Sequence, residues 1–424
     1  MDRVLLLMTT ATYRAGAFLE AAARVGVPVV VGTERAQVLA GLNPSAHLTL
    51  DFLALADSTR AIASFAERCP LGAVIAADDE GAVLAAMAAS AVGLAHHPVA
   101  AVARARSKRR TREALAAAGL PSPRFQAVSL DEDPALVAAR APYPCVLKPL
   151  QLSASRGVIR ANGPSELVEA FHRVARIVRD AVPARDGEIL IEDYIPGREV
   201  AVEGLLTRGH LRVLALFDKP DPLEGPYFEE TIYVTPSRLG PGEQEAIAGA
   251  AAGAARAIGL VEGPVHAELR LNDRGAFLVE IAPRSIGGLC SRTLRFGDGV
   301  SLEELILRHA LGQEVESLER EPLAAGVMMI PIPRAGRLEG VTGREEALRI
   351  PGIEDIRVTI PPGQEVVPLP EGSRYLGFIF ARETSPERVE EALRAAHRLL
   401  RFEIQAPSRA GRGGARSGMR DSSW

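Results

Sequence analysis

Cysteine is scarce: Cys69, Cys145 and Cys290 are the only three in 424 residues, far apart and without a CxxC pair. That spacing argues against a disulfide framework and against a zinc cluster. An excess of one charge is missing too. The 49 basic residues face 53 acidic ones, a formal net charge of -4, which suits neither a nucleic-acid binder nor a membrane-surface protein. No window approaches the ~20 apolar residues of a membrane span. The apolar run Val4 to Met8 is cut short by threonines and Tyr13-Arg14, too soon for a signal peptide, and it has the rhythm of a first strand. No internal repeat is present. With 47% hydrophobic residues the chain can bury sizeable cores, and its length exceeds one average domain, so two or three are expected. The expectation is a soluble cytoplasmic enzyme with neither nucleic acid nor membrane as partner.

The first hundred residues alternate strand and helix signals. Val4 to Met8 and Val27 to Val31 are strands around a helix from Phe18 to Val25 that Gly26 stops. Leu71 to Ala77 is a third strand, followed by an alanine-rich helix to about Val92. This rhythm implies a parallel α/β domain. After Gly119-Leu120-Pro121-Ser122-Pro123 the pattern becomes α+β. Strands are expected at Val146–Lys148, Val158–Arg160, Glu188–Glu192, Val200–Leu206, Leu211–Phe217, Val265–Leu271 and Ala276–Ile281, with helices at 165–181 and 242–258. From about 325 a third region looks like a small cap, with strands near 326–330, 354–359 and 376–381 and a helix from Ser385. Residues 407–424, rich in Gly, Ser and Arg, read as a disordered tail.

The strongest chemical signal is VHAELRLNDRGAFLVEIAPR, residues 265–284. A three-residue hairpin loop ending in a left-handed Gly275 pairs Asn272 with Ala276 and so sets Glu268 opposite Glu280. Directly opposed like charges destabilise a hairpin unless a cation compensates. Mg²⁺, which takes carboxylate and phosphate oxygens, would do so; two solvated surface glutamates are the competing reading. Arg284, four residues beyond Glu280, would stabilise charge on a transferring phosphoryl group or the tetrahedral intermediate after it. Cys290 has no plausible base beside it and reads as packing.

Lys148 closes the apolar run Cys145-Val146-Leu147, and phosphate is a natural partner for a lysine so placed. The small-residue loop Ser153-Ala154-Ser155-Arg156-Gly157 offers N–H groups and hydroxyls to phosphates. For most of the basic cluster around Lys108 (Arg104, Arg106, Arg109, Arg110, Arg112) a solvated helix face is favoured. Backbone groups from Asp193 to Ile195 are placed to meet an adenine edge. Glu199 is read as a ribose ligand or an exposed strand residue, since Val200 and Val202 would face the core while Glu199 and Glu203 face outward.

In their order along the chain these segments resemble the ATP-grasp superfamily. Lys108 precedes the strand lysine Lys148 and a Ser/Gly loop, followed by IEDYIPGREVAVEG, GPYFEETIYVTPS, GPVHAELRL and VEIAPRSIGGLCSR. The resemblance runs to about residue 406. It is nearest the branch of bacterial L-amino-acid ligases and related carboxylate–amine ligases, and next biotin carboxylase. It implies a preATP-grasp parallel α/β domain over 1–105, a two-lobed ATP-grasp domain over 106–313 and a small C-terminal α+β cap over 314–406. It also implies that Lys108 and Lys148 hold ATP phosphates under the 153–157 loop, through Ser153, Ser155 and Gly157. Glu192 with the Tyr194-Ile195 backbone would hold adenine, and Glu199 the ribose. Glu268 and Glu280 would carry Mg²⁺, with Mn²⁺ as a substitute, and Arg284 would steady the acyl phosphate. Glu230 would face the substrate amino group, and His266 would contact substrate or be structural.

Two departures stand out. Ala282 occupies the place where many relatives have a metal-ligating Asn, and Tyr233 a place where several have His. The implied reaction joins a small-molecule carboxylate to an amine, amino acids among them, with release of ADP. Two other readings stay open: a biotin-carboxylase-like enzyme, although no biotinyl-lysine segment is present, and an ATP-binding regulatory protein without turnover. A homodimer is the commonest assembly for soluble enzymes.

Overall fold

A computed structural model describes residues 2–36, 45–181 and 187–406. The unbroken apolar run near the start forms the strand Arg3–Leu7, flanked in a parallel sheet by Val29–Thr33 and Leu71–Ala76, with His47–Thr49 at the edge. Both faces of this strand are covered, which is why its sequence shows no alternation. Val4 and Leu6 pack with Phe18 and with Leu302, Leu305 and Ile306 of the helix Leu302–Ala310. Leu5 and Leu7 enter a second core with Ile62, Phe65 and Leu84. The first sheet is thereby docked, through one face, onto the rest of the chain.

The strand Cys145–Pro149 lies in a four-stranded antiparallel sheet with Ile159–Ala161, Glu188–Asp193 and Phe125–Ser129. The helices Pro134–Arg140 and Pro164–Ala181 share its core. This is a small lobe. An eight-stranded antiparallel sheet makes the large one, in the order 275–282, 263–272, 198–207, 210–218, 232–235, 324–330, 377–383, 353–358. The C-terminal cap region continues this sheet: Ile232–Thr235 pairs directly with Ala324–Ile330, and the sheet runs through without a break. A three-stranded sheet and the helix Pro386–Leu399 complete this end. The expected disordered tail, 407–424, lies outside the described residues.

The hairpin reaches its register by a route other than the expected one. Its turn has two residues, Asp273-Arg274, with Asn272 paired to Gly275. That register alone would leave Glu280 one place out. A bulge at Val279 restores it: Leu269 pairs with Leu278, but Glu268 pairs with Glu280. The expected pair is present for a different reason. Before the central strand, Gly197 has φ +119° and packs so closely on the hairpin that a Cβ would lie 2.2 Å from the Leu271 carbonyl oxygen. Only glycine fits that crossing.

Candidate active site

On the central strands one face is apolar and packs against the helix Pro241–Ile258 through Val200, Val202, Val265, Ala267 and Leu269. The other face carries Glu199, Glu203, His266, Glu268, Arg270 and Glu280, paired across the strands as Glu199 with Arg270, Glu203 with His266 and Glu268 with Glu280. The outward, solvated placement expected for Glu199 and Glu203 does not occur. Glu203 is fully buried, its carboxylate facing His266 and accepting from the Ile286 N–H at 2.9 Å.

Two adjoining compartments open over that face. One, of about 710 Å³, is lined by Val146, Lys148, Glu192, Tyr194, Ile195 and Phe228 among others. The second, of about 1220 Å³, extends toward Thr9–Arg14 and Asp78–Glu80 at the C-terminal ends of the first sheet's strands, where ligands of open α/β sheets lie. Both compartments share Ser153, Ser155, Glu230, Glu268 and Glu280. The hairpin glutamates thus stand at the seam.

Most of the residues singled out in the sequence meet here. Lys108, the first residue of the helix Lys108–Ala117, donates to the Leu152 carbonyl at 2.8 Å and so ties that helix to the 153–157 loop. Lys148 is paired with Glu192 at 2.8 Å. Glu192 also accepts two bonds from the buried Arg112 guanidinium, at 2.8 and 3.2 Å. Burial raises the Glu192 carboxyl, yet Arg112 and Lys148 outweigh it and hold it at about 2. Its carboxylate is thus committed to internal cations. Of the backbone groups expected at an adenine edge, the Tyr194 N–H donates to Pro144 and the Ile195 carbonyl accepts from Arg270. The Tyr194 carbonyl and the Ile195 N–H remain on that connection. Tyr194 stacks on Phe228 at 6.4 Å, with Arg160 and Arg270 against its ring. Gly157 does not line either compartment. It has φ +73°, its N–H donates to Pro370, and a Cβ there would meet Pro149 at 2.7 Å.

Lys219 is the residue the sequence underplayed. Its ammonium is buried between Glu199 at 2.9 Å, Glu268 at 3.4 Å and Glu230. The three carboxylates lie within 4.8 Å of one another. Burial disfavours the Lys219 charge, but the three acids raise its pKa well above the usual lysine value. The Tyr233 hydroxyl donates to Glu230 at 2.7 Å and lies 3.4 Å from Glu268. Burial and the Glu268 charge push the Glu230 carboxyl up. Against its own burial, Glu268 is held low by Lys219 and His266. His266 bridges Glu203 at 3.2 Å and Glu268 at 3.4 Å. Burial lowers its pKa, and those carboxylates more than compensate, raising it to about 9. A signal for Lys219 was available: it directly follows the buried strand His210–Asp218, as Lys148 stands near the end of Cys145–Pro149.

Arg284 donates to the Ser285 carbonyl at 2.9 Å and to Asp79 at 2.7 Å. Asp79 was not anticipated, although Asp78-Asp79-Glu80 directly follows a parallel strand. Its other oxygen pairs with Arg106 at 3.1 Å. Burial would raise its carboxyl, but the two arginines hold it at about 2. The solvated-face reading of the basic cluster fails for Arg112, Arg104 and Arg106. Arg112 is 1% exposed, Arg104 bonds the Ile258 carbonyl, and Arg106 pairs with Asp79. Among the described residues the Glu280 carboxylate makes no hydrogen bond or ion pair. With Glu268 opposite, it offers oxygen donors of the kind a hard divalent cation takes. Cys290 is buried against Met329, its thiol pushed up by burial, as packing requires.

Residues 141–293 match the model of the ATP-grasp domain, and residues 328–405 that of L-amino acid ligase C-terminal domain 2. Alanine–anticapsin ligase of Bacillus amyloliquefaciens is 28% identical over 56% of this chain and 54% of its own length. D-alanine–D-alanine ligase of Aromatoleum aromaticum is 32% identical over 43% of this chain and 57% of its own. An uncharacterized protein of Sinorhizobium fredii, y4rH, is 25% identical over 68% of the chain and 59% of its own. The chain thus spans between a half and three-fifths of these curated relatives. The crystal structure of an L-amino acid ligase from Bacillus licheniformis superposes with a TM-score of 0.77, at 26% identity, over 95% of this chain and 99% of that one. N5-carboxyaminoimidazole ribonucleotide synthetase from Thermotoga maritima, at 17% identity and a TM-score of 0.69, shares the fold. Among the described residues no helix is long and apolar enough to cross a membrane.

Proposed function

Starting from the ATP-grasp superfamily, to which this chain belongs, we propose that it is an ADP-forming ligase that activates a carboxylate as an acyl phosphate and joins it to an amine. The observation that carries this reading is the Glu268–Glu280 pair at the seam of two compartments. One compartment joins an apolar and aromatic wall, with Val146, Tyr194, Ile195 and Phe228, to a charged end with Lys108, Lys148 and several carboxylates, which suits a nucleotide with its cation. The other is larger and polar, with room for two small substrates.

In this reading Lys108, Lys148 and the Ser153–Ser155 loop hold the ATP phosphates. Tyr194, Phe228 and the Ile195 N–H hold the base, and Glu199 faces the ribose. Glu192 serves by fixing Lys148. Glu268 and Glu280 would hold Mg²⁺, which would offset phosphate charge there; Ala282 supplies no further side-chain ligand. The substrate carboxylate oxygen attacks the γ-phosphorus as its bond to ADP breaks. The amine nitrogen then attacks the acyl carbon and loses a proton, and the C–O bond to phosphate breaks. Arg284 stabilises charge on the acyl phosphate and on the tetrahedral intermediate. Glu230 attracts the amino group. Catalysis is mainly positioning and electrostatics, as phosphoryl transfer generally requires. The substrate class we propose is amino acids, and the ATP demand of the reaction fits the cytoplasm. Segments 1–105, 106–313 and 314–406 act as three working parts, the last two sharing one sheet.

The test is ADP and phosphate release by the purified chain with Mg-ATP, across L-amino acids singly and in pairs, with mass spectra of products. Release that rises only with particular pairs and yields a condensed product is the expected result. Release driven by bicarbonate without an amine, or ATP binding with no stimulated release, would overturn it. Under the same conditions Glu280→Gln is expected to abolish turnover; full turnover would remove the metal assignment.

A further inference from the structure

We propose that Asp79, from the first parallel sheet, is a positioning residue that holds Arg284 for the transfer steps, and that the first domain acts in catalysis through this contact. The inference rests on the function proposed above. Three observations carry it. First, the contact is built: Asp79 is 7% exposed, gives one oxygen to Arg284 at 2.7 Å and the other to Arg106 at 3.1 Å, and spans 205 residues of sequence to reach Arg284. Second, it leaves Arg284 usable. A guanidinium has five N–H donors in a fixed fork, and two contacts, to Asp79 and to the Ser285 carbonyl, orient the plane while leaving donors for an incoming oxyanion.

Third, Arg284 has somewhere worse to go. Glu280 and Glu203 also attract it, and Glu280 has no partner of its own among the described residues. Without Asp79 the guanidinium would be drawn onto Glu280, cancelling the carboxylate proposed for the cation and removing the positive charge proposed for the acyl phosphate. Asp79 outcompetes Glu280 for this arginine and so keeps both groups available. Through Arg106 the same carboxylate fixes the chain two residues before Lys108, whose ammonium holds the Leu152 carbonyl. The first sheet thus sets the transfer arginine and one wall of the phosphate site from a single point.

The experiment is steady-state ADP release with Mg-ATP and the amino-acid pair that stimulates the unaltered chain most. Asp79→Asn is nearly isosteric and removes the charge. It is expected to lower kcat by roughly 10- to 100-fold, the scale of a small misplacement at a transfer site, with KM for ATP unchanged within about threefold. In an Arg284→Ala background it should cost nothing further, because residues acting as a unit are not additive. A mere staple between domains would add its cost in both backgrounds. Asp79→Glu, which keeps the charge, should restore part of the kcat; if Asp79→Asn does not fold, a lowered kcat of Asp79→Glu at unchanged KM for ATP carries the same weight. Asp79→Asn, or Asp79→Glu standing in for it, with kcat within about twofold of the unaltered chain overturns the inference, as does full additivity with Arg284→Ala. No stimulation of the unaltered chain, or full turnover by Arg284→Ala, overturns the proposed function and this inference with it.

Discussion

Replacing Arg112 by Met should be the most destabilising single change in the nucleotide compartment. The guanidinium is 1% exposed and makes three bonds: two to Glu192, at 2.8 and 3.2 Å, and one to the Val279 carbonyl at 2.6 Å. Methionine fills a similar volume, so the packing loss is small and the electrostatic loss dominates. Removing one partner of a buried pair typically costs about 3–5 kcal/mol, because the other is left buried and under-compensated. The Glu192 carboxyl gives a second handle. It is held at about 2 against an ordinary 4.5, and a tenfold change in proton affinity is worth about 1.4 kcal/mol, so about 3 kcal/mol of stability depends on its ionised form. A depressed carboxyl stabilises the fold above its unfolded pKa and loses that contribution as pH falls through the folded value. The gap between the unaltered chain and Arg112→Met should therefore be full at pH 7 and shrink steadily between pH 4.5 and about 2. The assay is denaturant and thermal unfolding with a probe in the small lobe, repeated at about pH 7 and pH 3; the expected fall in melting temperature at neutral pH is on the order of 10 °C. A loss under about 1 kcal/mol, or a gap that does not narrow in acid, would refute the reasoning. Because Val279 is the bulge residue that sets Glu280 opposite Glu268, the variant should also need more Mg²⁺ for half-maximal turnover.

Two further outcomes are expected. Lys219→Met leaves Glu199, Glu230 and Glu268 clustered without their shared cation; the melting temperature should fall, and added MgCl₂ should raise it more than in the unaltered chain, whereas an unchanged melting curve would contradict the buried-ammonium account. Glu371 accepts two bonds from Arg173, at 2.7 and 2.8 Å; beside them the Arg156 guanidinium donates to the Glu371 carbonyl and the Gly157 N–H to the Pro370 carbonyl. These charges are about one-third exposed, so Glu371→Gln should cost only ~1 kcal/mol, but trypsin should cut at Arg156 several-fold faster; an unaltered cleavage rate would show that the bridge does not restrain the loop.

What the sequence revealed and what it hid divide along a physical line. Strands and helices came through because apolar periodicity is local: Leu211–Phe217, Ala276–Ile281 and the helix at 242–258 lie within a residue or two of where the pattern put them. Lys148, Glu268, Glu280 and Arg284 were singled out because their types and spacing carry chemistry of their own. The partners of those residues were not. Arg112 reaches Glu192 across 80 positions and Asp79 reaches Arg284 across 205, and nothing local marks a charge that will be buried against another so far away. The bulge at Val279 was hidden for a related reason: a register is set by the whole ladder, and a wrong turn length happened to compensate for the missing extra residue.

The unbroken large sheet bears on how this protein can be taken apart. The last strand of that sheet before residue 313 in pairing order, Ile232–Thr235, is buried along its whole length and paired on one side with Ala324–Ile330. A chain ended at 313 would present Ile232, Tyr233 and Val234 as a bare apolar edge, the kind of template that recruits other chains. The C-terminal part is therefore not an exchangeable cassette, even though a separate family description fits it. A swap between relatives would have to carry the junction across both strands. Expression of residues 1–313 alone is expected to give aggregated material, and a well-behaved monomer from that fragment would mean that the edge can be closed in some other way.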